Sequence, residues 1–288
     1  MIKINKATAI LVALMSILAV SGCGKSDDDS KTEESSLAVE SSQADSQESE
    51  DETSNVGEYL KNAAEIYESG RYTLNCTVTS SSYDGDIKLT RVVRGDNIYQ
   101  LQQEPAGSYG VISVDGKAYD FDYACGMYQA AESVPATTVI EEVINHNLPM
   151  TDGHDNNIHE GYVTEQYTFT GDTYITNIEF YFDENTGDLK KYTMKYTIEG
   201  QDDITETRII DSISEEVDES VFSLDFIDEL ADFEGMSEQQ RQGYCQGVCS
   251  GKGITADMMN QLDITADDLK TIDFDTFFNL VYTFSGNN

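Results

Sequence analysis

Apolar side chains recur along this chain with two different periods, and the switch between them lays out its elements. Within 56–69, Tyr59, Ala63, Ile66 and Tyr67 fall at helical spacing and Gly70 follows as a stop, which predicts one amphipathic helix. The period then drops to two. Tyr72, Leu74, Cys76 and Val78 share one face, Thr73, Asn75, Thr77 and Thr79 the other, and Ile87, Leu89, Arg91 and Val93 continue the pattern. Strands over 111–114 and 117–122 flank Asp115-Gly116, a pair that tolerates the positive φ angles of a tight hairpin turn. Residues 138–145 predict a short helix inserted among the strands. Alternation then returns in Val163, Glu165, Tyr167 and Phe169, and in Ile178, Phe180 and Phe182. After a turn at 183–187 come Tyr192, Met194, Tyr196 and Ile198, and a last strand covers 204–213. Clean alternation means one face buried and one wet. The expectation is an α+β body: a mainly antiparallel sheet with one opening helix and one inserted helix.

From Phe226 onward the pattern turns helical. Cys245 and Cys249 lie in a Gln- and Gly-rich stretch, and a near-repeat follows, Ile254-Thr255-Ala256-Asp257-Met258 and Ile264-Thr265-Ala266-Asp267-Asp268. Each Thr is placed to cap a short helix, and Thr265 with Asp268 resembles a capping box with Asp in place of Glu. The helix expected over 273–284 is apolar on most sides and must be buried, most simply within the same chain.

The first residues follow neither rule. Lys3 and Lys6 precede an apolar run over 7–20 that is short for a bilayer span, and the run ends in Val20-Ser21-Gly22-Cys23. These four residues resemble the lipobox of bacterial lipoproteins. That resemblance implies cleavage of a signal peptide (1–22) and a diacylglyceryl anchor of palmitate-type chains on Cys23, on the extracytoplasmic face of the cell membrane. Two or more acyl chains hold firmly where one gives only marginal binding. Residues 24–55 contain no aromatic residue and are dominated by Ser, Asp, Glu and Gln. They read as a disordered acidic tether, reaching roughly 30 Å as a flexible coil.

Charge then narrows the partners. The net charge of the 288 residues is −37, and losing Lys3 and Lys6 with the signal takes it to −39. A body this acidic is repelled by nucleic acid and by anionic lipid head groups, and it reads as a non-sticky extracellular surface.

An opening helix running into Arg71-Tyr72-Thr73-Leu74 is followed by Gly95-Asp96-Asn97-Ile98-Tyr99, Asp115-Gly116-Lys117-Ala118-Tyr119, Gly126-Met127-Tyr128, Ile178-Glu179-Phe180-Tyr181-Phe182-Asp183 and Val217-Asp218-Glu219-Ser220-Val221-Phe222. This order is similar to the LolA/LppX-like superfamily of half-barrel lipoproteins and lipid carriers, over about 56–225, with 226–288 left as a helical appendage of no recognised family. The resemblance implies a curved antiparallel sheet and helical lid around an apolar cavity that holds acyl chains in several members and serves sensing or protein binding in others. Phe169, Phe180, Phe182, Met194 and Tyr196 would then form the cavity wall. Alternating aromatics are also the ordinary content of a buried sheet face, so the plainer reading is a filled core.

Little else carries chemistry. Cys76, Cys125, Cys245 and Cys249 allow two disulfides outside the cell, and the layout favours Cys76 with Cys125 and Cys245 with Cys249, with free buried thiols as the alternative. Of the three histidines His146, His154 and His159, the last two flank the polar loop 155–157 without metal-ligand spacing, and the turn at 183–187 lacks the glycine position and closing glutamate of a calcium loop. No phosphate loop, nucleophile elbow, catalytic triad or cofactor motif is present. The sequence therefore points away from an enzyme. It points to a membrane-anchored protein binding a lipid or other hydrophobic ligand, with an envelope protein-interaction or sensory module as the alternative.

Overall fold

Strand β1 (Arg71–Ser80) pairs with β2 (Ile87–Arg94) on one side and β12 (Ile204–Ser214) on the other, which joins the first half of the sheet to the second. The computed structural model describes residues 56–83, 85–131, 139–140, 150–152, 157–170, 174–198, 200 and 202–285. From β2 the sheet runs outward through β3 (Asn97–Glu104), β4 (Gly107–Val114), β5 (Lys117–Asp122) and β6 (Met127–Ala130). From β12 it runs through β11 (Leu189–Ile198), β10 (Tyr174–Asp183) and β9 (Tyr162–Thr170), which pairs with both β7 (Met150–Asp152) and β8 (Asn157–His159). All these pairs are antiparallel; β13 (Ala231–Asp232) adds to β6 in parallel. Among the described residues the result is a thirteen-stranded, curved and unclosed sheet in an α+β fold.

Local chemistry explains the turns. Asp115 and Gly116 both adopt positive φ, 52° and 77°, so the β4–β5 hairpin turns where the Asp-Gly pair predicts. In the β10–β11 turn the Asp183 carboxylate accepts from the Asn185 and Thr186 amides at 2.9 and 3.0 Å. These bonds hold its pKa below the usual carboxylate range. The acidic group there closes a turn.

One face of the sheet is covered twice. Helix α1 (Glu58–Glu68) and the helical pair Val139 and Ile140 pack on β1 and β9–β12, burying Leu60, Ala64, Tyr67, Tyr72, Ile178 and Phe180 in the main core. The rest of the inserted helix predicted over 138–145 lies outside the described residues. At the other end of the same face, α2 (Glu238–Gly251), α3 (Ala256–Asn260) and α4 (Phe274–Ser285) form a second core with Cys125 and Met127 of the sheet. Ser237 and Thr255 cap α2 and α3 through capping boxes, and Thr265 exchanges hydrogen bonds with Asp268 as its spacing predicts. The apolar α4 buries Phe274, Phe277, Leu280, Val281 and Phe284, so its greasy surface is satisfied within the chain. On the opposite face Phe222, Leu224, Phe226, Ile227 and Leu230 cover β3–β6. Elsewhere that face carries short polar pairs such as Thr193–Thr207, Asn75–Ser212 and Thr168–Asn177, the exposed Ile175 and Ile209, and Lys191 over the rings of Tyr162 and Tyr181.

The predicted cysteine pairing needs correction. All four body cysteines are buried, unbridged thiols. Cys76 sits on β1 and Cys125 beyond β5, four strand spacings apart, roughly 19 Å at about 4.8 Å per strand. A disulfide needs Cα atoms within about 7 Å. Cys125 instead shares a core with Cys245 and Cys249. Those two stand one turn apart on the unbroken helix α2, with their thiols unbridged.

Candidate functional site

The register brings the five predicted wall residues onto one surface. Phe180 pairs with Tyr192, Ile178 with Met194 and Thr176 with Tyr196, while Phe169 stands opposite Thr176 on β9. Residues paired across antiparallel strands project from the same side. Phe169, Phe180, Phe182, Met194 and Tyr196 are all buried in the core beneath α1. Their rings meet each other and the helix: Phe180 lies 5.7 Å from Tyr167, 5.5 Å from Tyr192 and 6.4 Å from Phe182, and Phe182 lies 5.5 Å from Tyr59 of α1. Such spacings are those of favourable aromatic packing. The Tyr196 hydroxyl reaches the Met194 sulfur at 3.3 Å.

A charged group that hydrophobic alternation does not explain holds α1 over this wall. Glu165 is fully buried on β9, in the row Glu165–Phe180–Tyr192–Arg208. Its carboxylate accepts from the amides of Tyr59 (3.1 Å) and Leu60 (3.3 Å) and from the Tyr167 hydroxyl (2.8 Å), which in turn accepts from the Gly57 amide (3.0 Å). Helix N-termini present unsatisfied donors and favour negative charge. Gly57, at the N-cap, has no side chain to supply, so a strand residue over a hundred positions away does so. Gly57 is required there because a Cβ would fall 2.1 Å from Glu165 Oε1.

Beside the apolar wall the same face turns polar. Arg208 Nε donates to Glu206 at 2.7 Å and its guanidinium lies 5.9 Å from the Tyr192 ring centre. Burial pushes the Tyr192 hydroxyl up to about 12. On β2, Arg91 is 3% exposed, with Nε donating to the Tyr72 hydroxyl and Nη1 to Gln100 Oε1, at 3.0 and 3.1 Å. Sequence reasoning named none of Glu165, Arg91, Glu206 and Arg208 as site residues. The signal was a charge standing at an inward position of an otherwise apolar alternation.

Of the remaining sequence candidates, Cys23, His146 and His154 lie outside the described residues, and His159 ends β8. Burial raises the thiol pKa of Cys76 to about 11 and of Cys245 to about 12, and pushes Cys125 and Cys249 up as well. These thiols are protonated near neutral pH and do not act as thiolate nucleophiles. Among the described residues no three His, Cys, Asp or Glu side chains are grouped to hold a metal ion, and no helix is long and apolar enough to cross a membrane.

No family model and no curated protein matches the chain. Among solved structures it is similar to a LolA superfamily protein from Nitrosomonas europaea, at 11% identity and a TM-score of 0.31, over 58% of this chain and 97% of that one. It is also similar to PNGF-II, at 8% identity and a TM-score of 0.27, over 53% of this chain and 29% of that one.

Proposed function

We propose that the chain is an exported lipoprotein, anchored through Cys23 on the extracytoplasmic face of the membrane, whose sheet and helix α1 hold an apolar, lipid-like ligand between them. The observation that carries this reading is the way α1 is attached. A broad wall of Phe169, Phe180, Phe182, Met194 and Tyr196 is covered by α1, with Val139 and Ile140 beside it, and the start of α1 is fixed by a single buried carboxylate. Separating the helix from the sheet would bare a continuous apolar surface suited to acyl chains, with Arg208 and Glu206 at its margin for a polar head. The burial of the same five side chains supports a second reading, in which the core stays closed and the protein meets an envelope partner through another surface.

The test is lipid recovery from the full mature protein, purified from its own membrane in mild detergent. Extraction and mass spectrometry should yield a noncovalent lipid in fixed stoichiometry, and Met194→Trp, which adds bulk on the ligand side of the wall, should lose it while the protein remains folded. Wild-type protein that carries no lipid beyond its own anchor, or a Met194→Trp protein that carries as much as wild type, would favour the closed core.

A further inference from the structure

The interface between α4 and the sheet is built over carboxylates. Glu104, Asp120 and Asp122 share the covered face of β3–β5, and Asp275 lies in the first turn of α4. Between them Tyr109 packs edge-on against Phe278 and Tyr282 of α4, with ring centres 4.8 and 5.3 Å away. The approach is close: a Cβ on Gly107 would lie 2.9 Å from the Tyr282 hydroxyl. Asp122 is 0% exposed. Its Oδ1 accepts from the Cys125 amide at 2.8 Å, but its Oδ2 has no partner, and neither does the buried Tyr282 hydroxyl. An ionised carboxylate is costly to bury half-satisfied, whereas its protonated form is not charged and gains a donor.

We propose that the C-terminal helical unit is a pH-dependent clasp on the sheet, held tightly while Glu104 and Asp122 carry protons and loosened once they are ionised. The groups facing this pair are Tyr109 and Cys125 on the sheet, Tyr83 from the β1–β2 connection, Tyr282 on α4 and Tyr244 on α2, and the cation there is Lys252 at the C-cap of α2; Asp275 of α4 faces Asp120 instead, and Cys249 faces Cys125. Burial raises the carboxyl pKa of Glu104, Asp120, Asp122 and Asp275 alike; the Tyr109 hydrogen bond at Glu104, the Gln129 hydrogen bond at Asp120, and the Cys125 and Ala124 amides, Cys125 thiol and Lys252 at Asp122 only partly oppose it. A carboxyl whose folded pKa is raised binds more protons folded than unfolded. Its contribution is therefore lost as pH climbs from the ordinary carboxylate range, about 4, to the raised folded value, and stays lost above it.

The experiment follows the thermal midpoint of the full mature protein from about pH 4.5 to about pH 8, a span that brackets ordinary carboxyl titration at its lower end. Charge elsewhere on so acidic a chain gives stability a pH slope of its own, and exposed Asp202→Asn supplies that baseline. Asp122→Asn, which keeps Oδ1 as acceptor, should match wild type at the acid end and surpass it increasingly as pH rises, and Glu104→Gln should do the same. At the alkaline end, Cys125 alkylation should be several-fold slower in Asp122→Asn than in wild type, because a clasp that stays closed keeps this buried thiol from the reagent. Slopes for both variants parallel to Asp202→Asn, or variants less stable than wild type by the same amount at every pH, would overturn the clasp.

Discussion

Glu165 and Gly57 form a two-residue device in which a missing side chain on one partner makes room for a charge on the other. Replacing Gly57 by Ala puts a methyl group 2.1 Å from the carboxylate and must displace it from the helix start. Losing a helix cap costs about 0.5–2 kcal/mol, and leaving buried donors unpaired costs about 1–3 kcal/mol each. Urea unfolding should therefore show Gly57→Ala and Glu165→Ala each destabilised by about 2–4 kcal/mol on these figures. The double variant should lose much less than the sum, because both changes break the same contact. Additive losses would mean that the two residues act separately. Nothing in the local sequence announces this contact. The inward position of Glu165 was legible from alternation, but its partner lies 106 residues away, at Tyr59.

At the scale of elements, the strands that read cleanly were those whose inward residues are apolar, or apolar but for one as on β9 with Glu165: β1, β9, β10 and β11 appear where alternation puts them. Strand β3 did not read as a strand because its inward positions carry Gln100, Gln102 and Glu104. Gln100 is satisfied by Arg91 on β2, a cross-strand contact that the pattern along one strand cannot show. The cysteine pairing failed for a related reason: sequence order placed Cys76 and Cys125 in one body, while strand order holds them apart. Digestion without reductant should never release Cys76 and Cys125 in one linked peptide, and such a peptide would contradict the strand order itself. In the C-terminal unit Phe277 is fully buried, packed 5.8 Å from Phe233. Phe277→Ala should cost about 3–5 kcal/mol in chemical denaturation, as large-to-small changes in filled cores do. A loss under about 1 kcal/mol would mean that this second core is loosely packed.

For the whole molecule, one sheet serves two covers on the same face, α1 at the β9–β12 end and the C-terminal helices at the β4–β6 end. The alternation of residues made the curved sheet legible, and the apolar run of α4 made its burial legible. What the sequence hid was that the last helices add to the sheet, because their contacts with Tyr109, Cys125 and Met127 are all long-range. Anchoring belongs to this scale too. Cys23→Ala should lower the membrane-bound share of the mature protein, since the acyl chains proposed on that thiol are lost and the acidic body gains nothing from anionic lipid. Unchanged membrane association of that variant would remove the lipid anchor from the account.

Ligand holding between α1 and the sheet is the central claim, and a photoreactive residue placed on the wall reports on it directly. With Phe180→p-benzoylphenylalanine in the full chain, irradiation of intact cells should give a species heavier by one lipid molecule, with the crosslink mapped to position 180. Crosslinks formed solely to Tyr59 and its neighbours on α1, with no lipid adduct, would contradict it.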